Sequence, residues 1–290
     1  GGLAYMSRKN IHIKATAGTI VFKWICRVIM VIWAVVVIYP LIWAFLTSFK
    51  DTYQFMNNPW GLPDPWLVSN YSVAWVNADF ADYFLNTVYV TLGALALTLV
   101  MVSTTSYVIA KFRHPAIRFL ERFYALFMMV PQTLLLIPLM YLCMQLNMTN
   151  LFTLMILYAI QGVPFYVFLM VPFIKGINDA FIEAAQIDGA NEFYIYLRII
   201  LPMCVPAVFM VALLSIVGSW NEYMLAITLL KDSSMWTLPA GLNNVTTSAN
   251  YSYGVKFAAL FIAMLPILVI YGIFQKPLQN GLSAGDGVKG

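Results

Sequence analysis

The polar residues of this chain do not form a catalytic set. His12 and His114 each lack a Cys, Asp or second His at ligand spacing, so metal binding is not expected. No Ser-His-Asp or paired-carboxylate arrangement is visible, and no phosphate-cradling GxxxxGK[ST] loop occurs. Two places carry chemistry of another kind. Glu222 is an acid inside an apolar stretch, where a carboxylate costs roughly 2.5–3.5 kcal/mol at mid-membrane. The second is Glu183 to Pro202, EAAQIDGANEFYIYLRIILP, between two strongly apolar segments. Ala184, Ala185, Ile187 and Ala190 give a short helix small enough to seat in a partner's cleft, and Glu183 and Asp188 supply acids that basic residues there would meet. Gly189 lacks a Cβ, so a helix can end or turn sharply at it. Pro202 is expected near the start of the next helix, where its missing N–H costs little.

The elements that must hold these residues are membrane helices. The chain is 62% hydrophobic and 10% charged, far from the roughly 25% charged residues of soluble domains. Its apolar blocks exceed the ~18 residues that read as a span. Six are predicted, at about 24–48, 83–110, 123–146, 151–174, 206–230 and 255–274, within a transmembrane domain of 24–274. A segment 1–23 precedes them and a tail 275–290 follows. The first block is too long for the apolar region of a signal peptide and lacks a small-residue cleavage site, so it is expected to remain as a span. Prolines concentrate in the third and fourth spans (Pro131, Pro138, Pro164, Pro172), as suits helices that bend. Two polar outer loops are expected, from Phe49 to about Asp82 and from Lys231 to Gly254. Of the 16 Lys and Arg, all but Lys50, Lys231 and Lys256 fall in, or within a few residues of, the N-terminal segment, the second-to-third loop, the 176–205 loop or the tail. By the positive-inside rule both termini and the 176–205 loop are cytoplasmic. The basic run from Lys111 to Arg122 at a membrane edge sets topology and meets anionic lipid rather than nucleic acid. Cys26, Cys143 and Cys204 are scattered, without disulfide or metal spacing.

The spacing EAA-x3-G-x9-I-x-LP resembles the cytoplasmic loop signature of permease subunits of bacterial ABC importers. The resemblance extends over about residues 70 to 290. Asn86-Thr87, Ser106-Tyr107, Ala110 to Arg113, Met129, Pro131, Ile137-Pro138, Gly218 to Glu222 and Thr237 to Leu242 look like carbohydrate-importer permeases. The end, Asn280 to Gly285 and Gly287 to Gly290, looks like the tail of the smaller permease of the maltose-type importer, with Asp286 where a small residue is usual.

The resemblance implies an all-α, polytopic type I importer permease with a cytoplasmic coupling helix. Its implied partners are a second, different permease, a dimer of ATPases that binds ATP and Mg, and an extracellular solute-binding protein; this chain would bind no cofactor and catalyse nothing. Glu183, Ala184, Ala185, Asp188, Gly189, Leu201 and Pro202 would couple to the ATPase, and Gly285, Gly287, Lys289 and Gly290 would reach between the two ATPase subunits. ATP-driven closure would swing the permeases from inward- to outward-facing. Trp220, Asn221 and Glu222, with Gln132 and Gln161, are candidates to line a sugar path, since sugars are held by aromatic stacking and by amide or carboxylate hydrogen bonds. Helix bracing is the competing role for Glu222, Gln132 and Gln161. Trp236, Asn243, Asn244 and Tyr251 are expected in an outer loop that reaches the binding protein's cleft. An amino-acid importer and an ion-coupled secondary transporter remain the alternatives. The C-terminal resemblance disfavours the first, and the absence of obvious inverted repeats disfavours the second.

Overall fold

The computed structural model describes residues 17–286, and every regular element among them is helical. α1 (Ala17–Thr47) is followed by α2 (Thr52–Asn57), α3 (Ser69–Ser72), a π-turn over Val73–Asn77, and α4 (Phe80–Lys111). Next come α5 (Pro115–Phe127), α6 (Gln132–Gln145), α7 (Leu151–Gln161) and α8 (Val163–Lys175). The chain continues through α9 (Ala180–Ile187), α10 (Glu192–Ile195), a π-turn over Tyr196–Ile200 and α11 (Leu201–Met203). The remaining helices are α12 (Val205–Asn221), α13 (Met224–Leu229), α14 (Leu238–Thr247) and α15 (Tyr253–Asp286).

Three stretches are long and apolar enough to cross a membrane unbroken: Gly18–Thr47, Phe80–Lys111 and Tyr253–Gln275. Three more are helix pairs, α5 with α6 bent by 101°, α7 with α8 by 43°, and the Glu192–Met203 run with α12 by 78°. Counting each bent pair as one span gives the expected six. Each bend has a cause in the sequence. Pro131 is extended at the N-terminus of α6 and pushes the residue before it away from helical geometry. Gly162 precedes Pro164, and Cys204 precedes Pro206. By contrast Pro138 and Pro172 lie inside helices.

The boundaries differ from the predicted ones in two places. The 176–205 segment is mostly helix rather than loop, and the helical run of the fifth span begins at Glu192. Pro202 therefore lies ten residues along that run, not at its start. The π-turn before it accommodates the proline, with the Leu201 N–H bonding Tyr196 O five residues back and Pro202 offering no donor of its own. The same span stops at Asn221 instead of 230, and α13 is a separate short helix. Second, α15 continues through Pro277 to Asp286, well past the predicted span end at about 274 and into the tail. Once a helix is formed, one missing N–H does not undo its propagation. Gly285 lies in that helix; the expected ATPase contacts Gly287, Lys289 and Gly290 lie outside the described residues.

α4 is the axis of the bundle and packs on α7, α8 and α12. Its buried positions Tyr83, Thr87, Val90, Ala94, Thr98, Val102 and Ser106 recur every three or four residues, which places them on one face. Three core clusters follow one another along it. Phe80 and Tyr83 join Trp220, Leu238 and Val255 at one end. Val90 and Ala94 join Leu154, Ala159 and Leu225 in the middle. Val102, Tyr107 and Ile109 join Val167, Ile174, Ile195 and Ile200 at the other end. Small and hydroxylated residues let these helices approach closely, as where Thr98 Oγ1 donates to Ala159 O at 3.2 Å. α1 stands apart. From Ile20 to Tyr39 its large apolar side chains are exposed, and it joins the bundle near its end, through Trp43 on Phe257 and Phe45 on Phe261.

Candidate functional site

α9 is a short helix whose two ends are fixed and whose one face is bare. At its C-terminus Gly189 takes φ +81°, the left-handed conformation that favours glycine. The Ala190 N–H returns to Ala185 O at 2.9 Å and the Gly189 N–H to Gln186 O at 3.0 Å. This paired 6→1 and 5→2 pattern is the Schellman stop, which satisfies the last carbonyls. Asn191 then accepts from the Tyr194 N–H at 2.8 Å and starts the next helix.

Three α4 residues spaced by four, Ser103, Tyr107 and Lys111, hold this segment on either side of α9. Lys111 Nζ donates to Asp179 Oδ1 at 2.7 Å and to Ile177 O at 2.8 Å, just before α9. Tyr107 Oη donates to Glu192 Oε2 at 2.7 Å, just after it, and Ser103 Oγ pairs with Tyr196 Oη at 2.7 Å. Glu192 also accepts from Gln186 Nε2 at 3.1 Å, which ties the end of α9 to α10. The hydrogen bond and charge of Lys111 hold the Asp179 carboxyl below its usual range. Sequence reasoning did not assign this clamp. The i, i+4, i+8 spacing on α4 was its visible signal.

The predicted coupling residues divide by position. Glu183, Ala184 and Asp188 are exposed on α9, beside Phe181 and an Ile187 that is 86% exposed. Ala185 faces the other way into the inner core, with Ala190 packed against that core. Those two alanines, expected to enter a partner's cleft, instead seat the helix on the bundle. Leu201 packs on the same core, and Pro202 follows the π-turn; both shape the span that follows rather than α9's bare face.

Further into the membrane a cavity of about 420 Å³ opens between α6, α7 and α12, with Gln132, Gln161, Tyr166, Ser219 and Glu222 in its lining. Three of the predicted path residues are thus brought together. Trp220 and Asn221 are not among them. Successive helical residues turn by about 100°, so Ser219 and Glu222 share a face while the two between them point elsewhere. The Trp220 indole N–H donates to Ala263 O at 3.1 Å and its ring packs edge-on to Phe84. Asn221 Nδ2 donates to Val217 O at 2.9 Å.

Glu222 is a brace in this cavity wall. Its Oε2 accepts from Tyr158 Oη at 2.7 Å and from the Ala226 N–H at 3.2 Å, and its Oε1 accepts from the Leu225 N–H at 2.8 Å. It therefore caps α13 and ties it to α7. A carboxylate offers about four acceptor positions, so these three bonds leave about one for a solute. Gln132 Nε2 donates to Gln161 O at 3.1 Å, another bond between spans.

A helical bundle with a fixed short helix at one end and a polar cavity within it matches one family model, "binding-protein-dependent transport system inner membrane component", over residues 103–283. The chain belongs to this family. This permease is similar to the diacetylchitobiose uptake system permease protein NgcG of Streptomyces coelicolor, at 32% identity over 91% of the chain and 88% of that protein. It is also similar to the multiple sugar-binding transport system permease protein MsmG of Streptococcus mutans, at 31% identity over 89% of the chain and 94% of that protein. Among solved structures, a chain of a bacterial ABC transporter involved in import of the acidic polysaccharide alginate shares the fold, with TM-score 0.79 and 23% identity over 90% of this chain and 98% of that one.

At the opposite end of the permease from α9, the predicted loop from Lys231 to Gly254 contains the ten-residue helix α14. Leu238, Ala240, Gly241 and Val245 face inward, and a Cβ at Gly241 would enter the Tyr83 ring. Asn243 and Asn244 are exposed, as expected of a contact surface. Trp236 and Tyr251 are anchors instead of free tips. The Trp236 indole N–H donates to Leu230 O at 3.1 Å, and Tyr251 Oη to Asn77 O at 3.0 Å. From α4, Asn86 Nδ2 donates to Ser234 O and Trp236 O, and Thr87 Oγ1 accepts from the Leu238 N–H at 2.7 Å.

Proposed function

We propose that this permease carries an oligosaccharide or related sugar into a bacterial cell, driven by ATP that a partner ATPase dimer hydrolyses. The observation that carries the proposal is α9. A helix capped, clamped on both sides to one long span and left bare along Phe181, Ala184 and Ile187 is built to pass a partner's movement to the membrane. Glu183 and Asp188 beside that face supply charge for basic residues across the contact. ATP and Mg belong to that partner. The sugar reading draws on the relatives named above and on the cavity, where amide, hydroxyl, carboxylate and aromatic groups converge. A second, different permease of the maltose type would close the cavity and cover α1, whose apolar faces have no neighbour among the described residues along most of their length. A solute-binding protein would deliver sugar to α14, with Asn243 and Asn244 toward its cleft. Both termini and α9 lie in the cytoplasm on the count of Lys and Arg. The tail, including Gly285, Gly287, Lys289 and Gly290, would reach the ATPase.

The test is ATP hydrolysis by the assembled complex in liposomes, with binding protein loaded with candidate oligosaccharides or with amino acids. Stimulation and uptake should follow a sugar. Stimulation by an amino acid alone would reject the substrate class, and uptake without ATP would reject the drive.

A further inference from the structure

We infer that the α5–α8 face holds one anionic glycerophospholipid, with its headgroup among the basic residues at the end of α4 and an acyl chain between the two helices. Two cavities meet there. One, of about 580 Å³, is lined by Lys111, Arg113, Arg118 and Lys175 with Glu121 and Asp179. The other, of about 560 Å³, is apolar and runs between α5 and α8 past Tyr124, Ala125, Met128, Val167, Phe168 and Val171. Ile109, Glu121 and Lys175 line both, so one molecule can occupy the two.

Charge selects the headgroup. Both carboxylates are engaged, Asp179 by Lys111 at 2.7 Å and Glu121 by Lys175 at 2.9 Å. Arg113 and Arg118 have no ion-pair partner among the described residues. Guanidinium groups match a phosphate in geometry as well as in charge, and a basic pocket between spans at a membrane edge suits an anionic headgroup.

Length and size select the tail. Along α8 the apolar crevice extends from Pro164 to Lys175, eleven residues or about 16 Å at 1.5 Å each. That is about half of a ~30 Å hydrocarbon core, the depth of one leaflet. A single acyl chain is narrower than a helix, which measures at least 10 Å across with its side chains. A free phosphate would leave the crevice without an occupant.

The assignment rests on neither the sugar nor the ATPase, so its test stands apart from theirs. The full-length chain, purified in its complex, is exchanged into non-ionic detergent with phosphatidylglycerol or phosphatidylcholine of identical acyl chains. Retained lipid is counted by native mass spectrometry. Each arginine near a headgroup contributes about fivefold, so phosphatidylglycerol should be retained about 25-fold better. Arg113→Gln with Arg118→Gln should bring it down to the phosphatidylcholine level. Ala125→Trp, which fills the apolar crevice, should lower retention of both lipids in a complex that still elutes as one species. Equal retention of the two lipids by the unaltered chain overturns the inference. So does unchanged retention in either variant, or capture of a protein chain rather than lipid by a photo-crosslinker on Ala125→Cys.

Discussion

Lys111 keeps only 9% of its side chain exposed while its partner Asp179 keeps 67%, so the buried end of this pair belongs to the bundle and the open end to the segment before α9. The folded-state pKa of Asp179 is depressed by Lys111. The sign follows from that depression: the contribution to stability is fully present above the ordinary carboxylate pKa near 4 and is lost as pH falls through the lower folded value. Melting of the native complex and of Asp179→Asn should therefore differ by a constant amount between pH 5 and 8 and converge below about pH 4. A gap that instead opens toward low pH would place the important charge elsewhere. Gly189 makes a second prediction. Open space surrounds its Cβ position, so a side chain fits sterically and only the backbone objects. Gly189→Ala should cost about 1 kcal/mol or somewhat more for left-handed φ, fray α9 and reduce sugar-stimulated ATP hydrolysis several-fold, while the chain still inserts in the membrane. Gly189→Asn, which tolerates that conformation better, should retain more activity. Equal loss in both would mean that φ is not the constraint.

Among the elements, legibility followed how local the determining interaction was. The stop of α9 was readable because Gly189 sits where a helix of small residues must turn, and a backbone rule decides it. The bends at Pro131 and ahead of Pro206 are local too, although which of several prolines bends its span was not. Trp220 and Asn221 lie apart from the cavity that Glu222 lines because neighbouring residues in a sequence motif diverge around a helix. α14 looked like a loop because Asn and Thr dominate its outer face, while its inner face depends on Tyr83 and Thr87 more than 150 residues earlier. The clamp of Ser103, Tyr107 and Lys111 has regular spacing, yet its partners lie 66 to 93 residues away, beyond any local pattern. Glu222 joins elements as well, and its two roles separate by measurement. Glu222→Ala leaves the Tyr158 hydroxyl and two backbone N–H groups without their acceptor, at about 1–3 kcal/mol, whereas Glu222→Gln keeps one acceptor oxygen and should cost less. If bracing is its main work, the alanine variant lowers the melting temperature and maximal uptake with little change in the sugar concentration for half-maximal uptake. A large rise in that concentration at unchanged melting temperature would make Glu222 a sugar contact instead.

At the scale of the molecule, α4 is one unbroken helix that touches both functional ends. Its 32 residues extend about 48 Å, more than a ~30 Å hydrocarbon core. Its first turns hold α14 through Asn86 and Thr87, and its last turns hold α9 through Ser103, Tyr107 and Lys111. A binding protein on α14 and an ATPase on α9 would therefore act on the same rod. Loosening its two ends should have different effects. Asn86→Ala removes two hydrogen bonds, each contributing about 1 kcal/mol, and frees the segment before α14 while leaving the α9 clamp intact. Basal ATP hydrolysis of the complex should persist, and stimulation by loaded binding protein should fall several-fold. Lys111→Met with Tyr107→Phe frees α9 and should reduce basal and stimulated hydrolysis together. The comparison is made on purified complexes at matched subunit content, so that assembly is not confused with coupling. If Asn86→Ala lowers both rates equally, or if the α9 variant loses only stimulation, the two ends do not report separately through α4, and the connection between them must run through α12 or α15.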